Sequence, residues 1–162
     1  MPVPAPTWWR HLEACAWVAA WLTAREREML GPRELLVRQA WRGELLGLPG
    51  PRELVHRPDL VGVVPGRRPA AVEVELRRKS KTRLRAILKL HARWIASGQS
   101  GACVYVCGDE EIRRLVLGQA ALAGLDPEDG SLRLELLGTI KQVALEASES
   151  VPRGTRVMGA IQ

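Results

Sequence analysis

With 162 residues, 46% of them hydrophobic and 26% charged, the chain is sized and composed for one folded domain, which excludes a disordered or collagen-like polymer. Its longest apolar stretch, Ala14 to Leu22, falls far short of the roughly 20 residues that a membrane-crossing helix needs. Three cysteines without a CxxC pair (Cys15, Cys103 and Cys107) and an amino terminus without the basic start of a secretion signal predict a soluble protein of the reducing cytoplasm, with neither a disulfide framework nor a zinc site.

The first element is a helix capped by Thr7, in which Trp8, Trp9, Leu12, Trp17, Ala20 and Trp21 recur at helical spacing, ending near Arg27. A shorter helix follows Gly31 with Pro32 at its first position, and the turn-rich stretch from Trp41 to Pro51 reads as a linker. From Arg57 the period changes to two. Leu60–Val64 and Ala70–Leu76 read as strands joined across Pro65-Gly66-Arg67-Arg68-Pro69. Ser80 caps a helix to about Ala96, with Leu84, Ile87, Leu88, Trp94 and Ile95 in one stripe, and Gly101–Cys107 reads as a buried strand. Asp109 caps a further helix to about Leu125, with Glu110 and Glu111 set against its macrodipole. Ser131–Leu137 alternates as a last strand. This order predicts an α/β (α+β) fold, a mixed central sheet flanked by helices. Its parts are an N-terminal helical arm over 1–50, a core over 51–138 and a C-terminal extension over 139–162.

Within the second hairpin strand, Glu73 and Glu75 share one face while Val72, Val74 and Leu76 take the other. Adjacent carboxylates repel, so the pair is either a solvated strand face or a site relieved by a cation. A five-residue connection sets Asp59 opposite Glu75, bringing three carboxylates to one face, whereas an even connection turns Asp59 away. Hard oxygen donors of this kind suit Mg²⁺ or Mn²⁺ and activation of water against a phosphodiester.

His56-Arg57-Pro58-Asp59, a hairpin, Val72-Glu73-Val74-Glu75-Leu76, a basic helix and an apolar strand together resemble the core of the PD-(D/E)xK nuclease superfamily. More narrowly, the pattern resembles replication-relaxation type proteins of bacterial plasmids and other mobile elements. The similarity spans about Arg52 to Leu125, with an echo in Leu22–Glu26 and Pro32–Leu35 of the helical part that precedes the core there. The resemblance implies a restriction-endonuclease-like core, with Asp59 and Glu73 as metal-binding acids. The lysine expected two residues after the second acid is Glu75 here. Lys79, Lys81 or Lys89 stands in for it, Lys79 being nearest, and Glu34 is either an exposed helix residue or the counterpart of the acid that the superfamily's first core helix often contributes. The resulting site is catalytic Asp59, Glu73, Glu75 and Lys79, with the three acids on the metal. On this reading Glu73→Ala abolishes cleavage and spares binding.

The net charge of +6 is uneven. Arg77 to Arg93 holds eight of the 24 cations and no acid, leaving 16 cations against 18 acids elsewhere. Within it Lys81, Arg85, Lys89 and Arg93 recur every fourth residue as a helical stripe, and with Arg77 and Arg78 they form the expected DNA contact. The alternative is a solvated helix face. His11, His56 and His91 show no ligand spacing; His91 falls on the apolar side of its helix, and His56, three residues before Asp59, is within reach of the acids. Cys103, Tyr105 and Cys107 are packing groups. Trp8, Trp9, Trp17 and Trp21 pack against the sheet or a second copy, which predicts a homodimer contact. The sequence thus points to a DNA-binding, metal-dependent endonuclease of plasmid or mobile-element replication. Its alternatives are an inactive DNA-binding module of the same fold and a protein-interaction domain.

Overall fold

Alternation and capping place the elements. In chain order they are α1 (Thr7–Thr23), β1 (Glu28–Leu30), α2 (Pro32–Val37), β2 (Gly43–Glu44), β3 (Val55–His56), β4 (Leu60–Val63), β5 (Ala70–Glu75), α3 (Lys81–Ala96), β6 (Ala102–Cys107), α4 (Glu110–Ala121), β7 (Leu132–Leu136) and α5 (Leu137–Glu149). The structure, a computed structural model, describes residues 7–25, 27–49 and 54–149. The side chain of the expected cap Thr7, residues 50 and 51 of the expected linker with residues 52 and 53 beyond it, and residues 150–162 of the expected extension lie outside them.

Five strands join one mixed sheet in the order β1-β4-β5-β6-β7. β4 is antiparallel to β1 and β5, while β6 runs parallel to β5 and β7. The antiparallel step is a hairpin: Pro65 and Gly66 are the central residues of a turn closed by Arg67 N–H to Val64 O (3.0 Å). Gly66 sits there at φ +75°, a conformation that its missing Cβ permits. The parallel step needs a long crossover, which α3 supplies. Its N-terminus is capped by Ser80 Oγ, which accepts from Arg83 N–H (3.2 Å), and α4 is capped by Asp109, which accepts from Ile112 N–H (2.8 Å).

Both faces of the sheet are covered. α3 and α4 bury Leu84, Ile87, Leu88, Trp94, Ile112 and Val116 against Ala71, Cys103 and Tyr105. α1 and α5 bury Val18, Trp21, Leu22 and Ile140 against Leu60, Val72, Val74 and Val106. Every second residue of β5 and β6 therefore meets a different helical layer, and the near-continuous apolar run of β6 follows.

Four expectations are corrected. The N-terminal segment is no arm: α1 is half of one layer, and β1 is an edge strand paired Glu28↔Val63 and Leu30↔Val61. α1 ends at Thr23, short of Arg27. The linker is partly core, because Trp41 and Leu45 are about 5% exposed and Trp41 stands edge-on to Trp94 (5.5 Å between centroids). Gly43–Glu44 pairs with Val55–His56 as a two-stranded ribbon. The C-terminal segment contributes α5, whose Ile140 and Ala144 are buried.

Candidate functional site

The ladder decides where the acids go. Leu60 pairs with Val72, so Asp59 stands opposite Glu73 and not opposite Glu75 as the five-residue connection predicted. Seven residues separate the last paired residues Gly62 and Ala70, an odd count, so parity survives while the register moves by two. Asp59 N–H still donates to Val72 O (3.0 Å). β4 begins only at Leu60, and Asp59 Oδ2 takes the N–H of Val74 (2.7 Å) that longer pairing would have given to a β4 carbonyl. Its Oδ1 meets His11 Nε2 from α1 (2.9 Å). The hydrogen bonds to Asp59 and, next, to Cys15 outweigh partial burial and raise His11 to about 10.

Glu73 and Glu75 do share a face, as alternation requires, and both are buried, at 4% and 6% exposure. An unpaired buried carboxylate costs several kcal/mol, and each acid has its own relief. Lys79 Nζ is bonded to Glu75 Oε2. Burial pushes the Glu75 carboxyl up and Lys79 opposes that shift. Glu73 Oε1 receives both His56 Nε2 and His91 Nε2, each at 2.7 Å. Burial would raise Glu73, yet the charge and hydrogen bond of His56, with the bond from His91, hold it down at about 2. His56 in turn is lowered by burial but more strongly raised by Glu73.

The three carboxylates do not meet at one point. Among the described residues, the groups whose ligand atoms converge within 4.8 Å are His11–Cys15–Asp59 and His56–Glu73–His91. Asp59, Glu75 and Lys79 instead line one cavity of about 390 Å³ at the end of β5, with Trp8, Arg10 and His11 from α1 and Arg77 from the loop. Glu73 lies behind this wall. The cavity thus offers two hard carboxylates beside four cationic side chains, Arg10, His11, Arg77 and Lys79.

The basic stripe is only partly free. Arg78 pairs with Glu111 (2.5 Å), Arg85 donates to Gln119 Oε1 (2.8 and 3.1 Å), and Arg93 donates to Glu44 O (2.5 Å). Among the described residues Arg77, Lys81 and Lys89 have no such partner. α3 starts beside the end of β5 and runs back toward the start of β6, so Arg77 and Lys81 lie at the cavity end and Arg93 at the far end. Glu34, the alternative acid, donates no ligand to this cavity: its Oε2 accepts from Gly31 N–H (3.0 Å), closing its own helix start.

His11 and Arg10 carried no signal in the sequence, because their place depends on how α1 docks. His91 was legible as a residue on the apolar side of α3, but not as a partner of Glu73, because nothing in the sequence says which face of the sheet α3 covers. Comparison with known proteins returns no matching family model, no matching curated protein and no matching solved structure.

Proposed function

We propose that the chain is a DNA-binding protein that hydrolyses phosphodiesters with Mg²⁺ or Mn²⁺ held by Asp59 and Glu75. One observation carries this reading: the Lys79 ammonium group is bonded to Glu75 in the cavity that Asp59 lines, supplying from the loop the cation missing at strand position 75. An antiparallel pair leading through a basic helix to a parallel strand is also the order that a restriction-endonuclease-like core requires, which supports the resemblance to PD-(D/E)xK nucleases.

The donor set fits such an ion. Two carboxylates on an open cavity wall are hard oxygen ligands and leave room for the waters that Mg²⁺ retains. A cation bound there polarises a phosphoryl oxygen and lowers the pKa of a water. The chain's own groups do the rest. Arg77 and Arg10 hold the phosphates on either side. Lys79, swinging from Glu75, meets the charge that develops on the scissile phosphate. Glu73 is a supporting group in this scheme, since its Oε1 is committed to two histidines behind the wall.

Nicking of supercoiled and branched DNA with Mg²⁺ or Mn²⁺ tests the proposal. Nicking stopped by EDTA, and reduced about 10²-fold or more by Lys79→Met and Glu75→Gln, is the expected outcome. The second reading, an inactive DNA-binding module, is favoured by the commitment of both Asp59 oxygens to Val74 N–H and His11. Salt-sensitive DNA binding without any metal-dependent nicking establishes it. The same proposal places the protein in the cytoplasm, where its three buried thiols stay reduced. It also assigns self-association to the exposed edge of Trp8, Trp9 and Leu12, read by sedimentation equilibrium of Trp9→Ser against the parent.

A further inference from the structure

We propose that His56, Glu73 and His91 form a second metal site, selective for a borderline transition ion such as Zn²⁺ and distinct from the oxygen site of the cavity. Three elements that are separate in sequence bring one atom each to a single point: β3 ends at His56, β5 carries Glu73 in its middle, and α3 carries His91 on its buried side. Both Nε2 atoms stand 2.7 Å from the same carboxylate oxygen, Oε1. A carboxylate that needed only hydrogen bonds has two oxygens over which to spread them. Convergence on one oxygen also brings one ligand atom from each of the three residues within 4.8 Å of the others, close enough to share an ion.

The polar atoms around this point supply a second, independent observation. His91 Nδ1 and the Tyr105 hydroxyl are buried and have no hydrogen-bond partner. Tyr105 pairs with Glu73 across the β5–β6 ladder, and its ring stands edge-on against His91 (6.2 Å between centroids). With His91 Nε2 engaged by Glu73, its Nδ1 is left in the core without a partner, which is costly. When Nε2 ligates a metal, the ring proton moves to Nδ1, which then has a hydrogen to donate. Ligating histidines commonly use their other nitrogen in this way.

Two imidazoles with one carboxylate favour zinc-like ions over Mg²⁺. Ligand bonds of about 2.0–2.1 Å need the three atoms to part only slightly from their present contacts, and a fourth position stays open to water. His56, with 15% of its side chain exposed, is the side from which an ion enters; Glu73 and His91 are closed off.

The test uses the full chain, freed of metal by chelation, titrated with Zn²⁺ by calorimetry and with Co²⁺ by visible absorption. One equivalent should bind, with the intense bands of low-coordinate Co²⁺ and no thiolate charge-transfer band. Affinity should fall at least about tenfold in His56→Gln, which lies at the rim, and in His91→Gln, with folding checked by circular dichroism. A thiolate band that disappears in Cys15→Ser places the ion at His11–Cys15–Asp59 and overturns the proposal. So does the absence of stoichiometric binding in the folded parent, or binding that His56→Gln leaves unchanged.

Discussion

Glu73 shows how far a residue's neighbours decide what it can do. Alternation placed it beside Glu75 on one face, and the structure agrees, but the two acids have different partners and different access. Glu73→Ala therefore removes more than a candidate ligand. It strands a buried His56 charge and leaves His91 without its acceptor, and breaking a buried pair costs about 3–5 kcal/mol. Urea denaturation should read a loss of that size, with Glu73→Gln losing less because its amide oxygen still accepts. Loss of cleavage in Glu73→Ala alone then reports folding as much as chemistry. The His11–Asp59 pair makes a pH prediction. His11 rises from 6.5 to about 10 on folding, so its contribution is full below 6.5 and lost as pH climbs through about 10. The stability gap between the parent and His11→Gln should be widest near pH 6 and close by pH 10 to 11. The His11–Asp59 and His91–Glu73 partners could not be read from spacing, since they join residues 48 and 18 positions apart.

Elements were legible where local chemistry specifies them and illegible where tertiary pairing does. Ser80 and Asp109 mark the starts of α3 and α4, and alternation marks β5, within a residue or two, whereas α4 ends at Ala121, short of the expected Leu125. β1, β2 and β3 have two or three residues each, too short for a period, and exist because a partner strand lies beside them. α5 was missed because Leu136 of β7 is followed at once by Leu137 of α5, with no turn residue between them. The cap on α3 bears on function, since it holds the start of the basic helix beside the cavity. Ser80→Ala should cost about 1 kcal/mol in thermal or urea unfolding. The stripe itself divides. Arg77→Ala and Lys81→Ala should each lower the slope of log affinity against log salt by about 1, whereas Arg93→Ala, whose guanidinium is tied to Glu44, should leave it nearly unchanged.

At the scale of the molecule, the candidate site exists because α1 is a layer of the core and not an arm. Trp8, Arg10 and His11 reach the cavity only while Trp21, at 2% exposure, keeps the helix seated with Val18 and Leu22 against β4 and β5. Trp21 also lies under the guanidinium groups of Arg25 (4.5 Å), just past α1, and of Arg133 (5.6 Å) on β7. The tryptophans that the sequence grouped on one helix thus divide: Trp21 anchors, while Trp8 and Trp9, at 61% and 54% exposure, face solvent as an edge-to-face pair. Replacing a buried tryptophan by alanine costs about 3–5 kcal/mol. Trp21→Ala should lose that much and, where the variant still folds, release His11 from Asp59, visible as a fall of the His11 pKa toward 6.5 in a proton titration followed by NMR. Trp9→Ser should leave both stability and the His11 titration unchanged. A Trp21→Ala protein that keeps His11 near its raised value would mean that the cavity is assembled without the anchoring of α1, and the link between the tryptophan face and the acidic site would then be wrong.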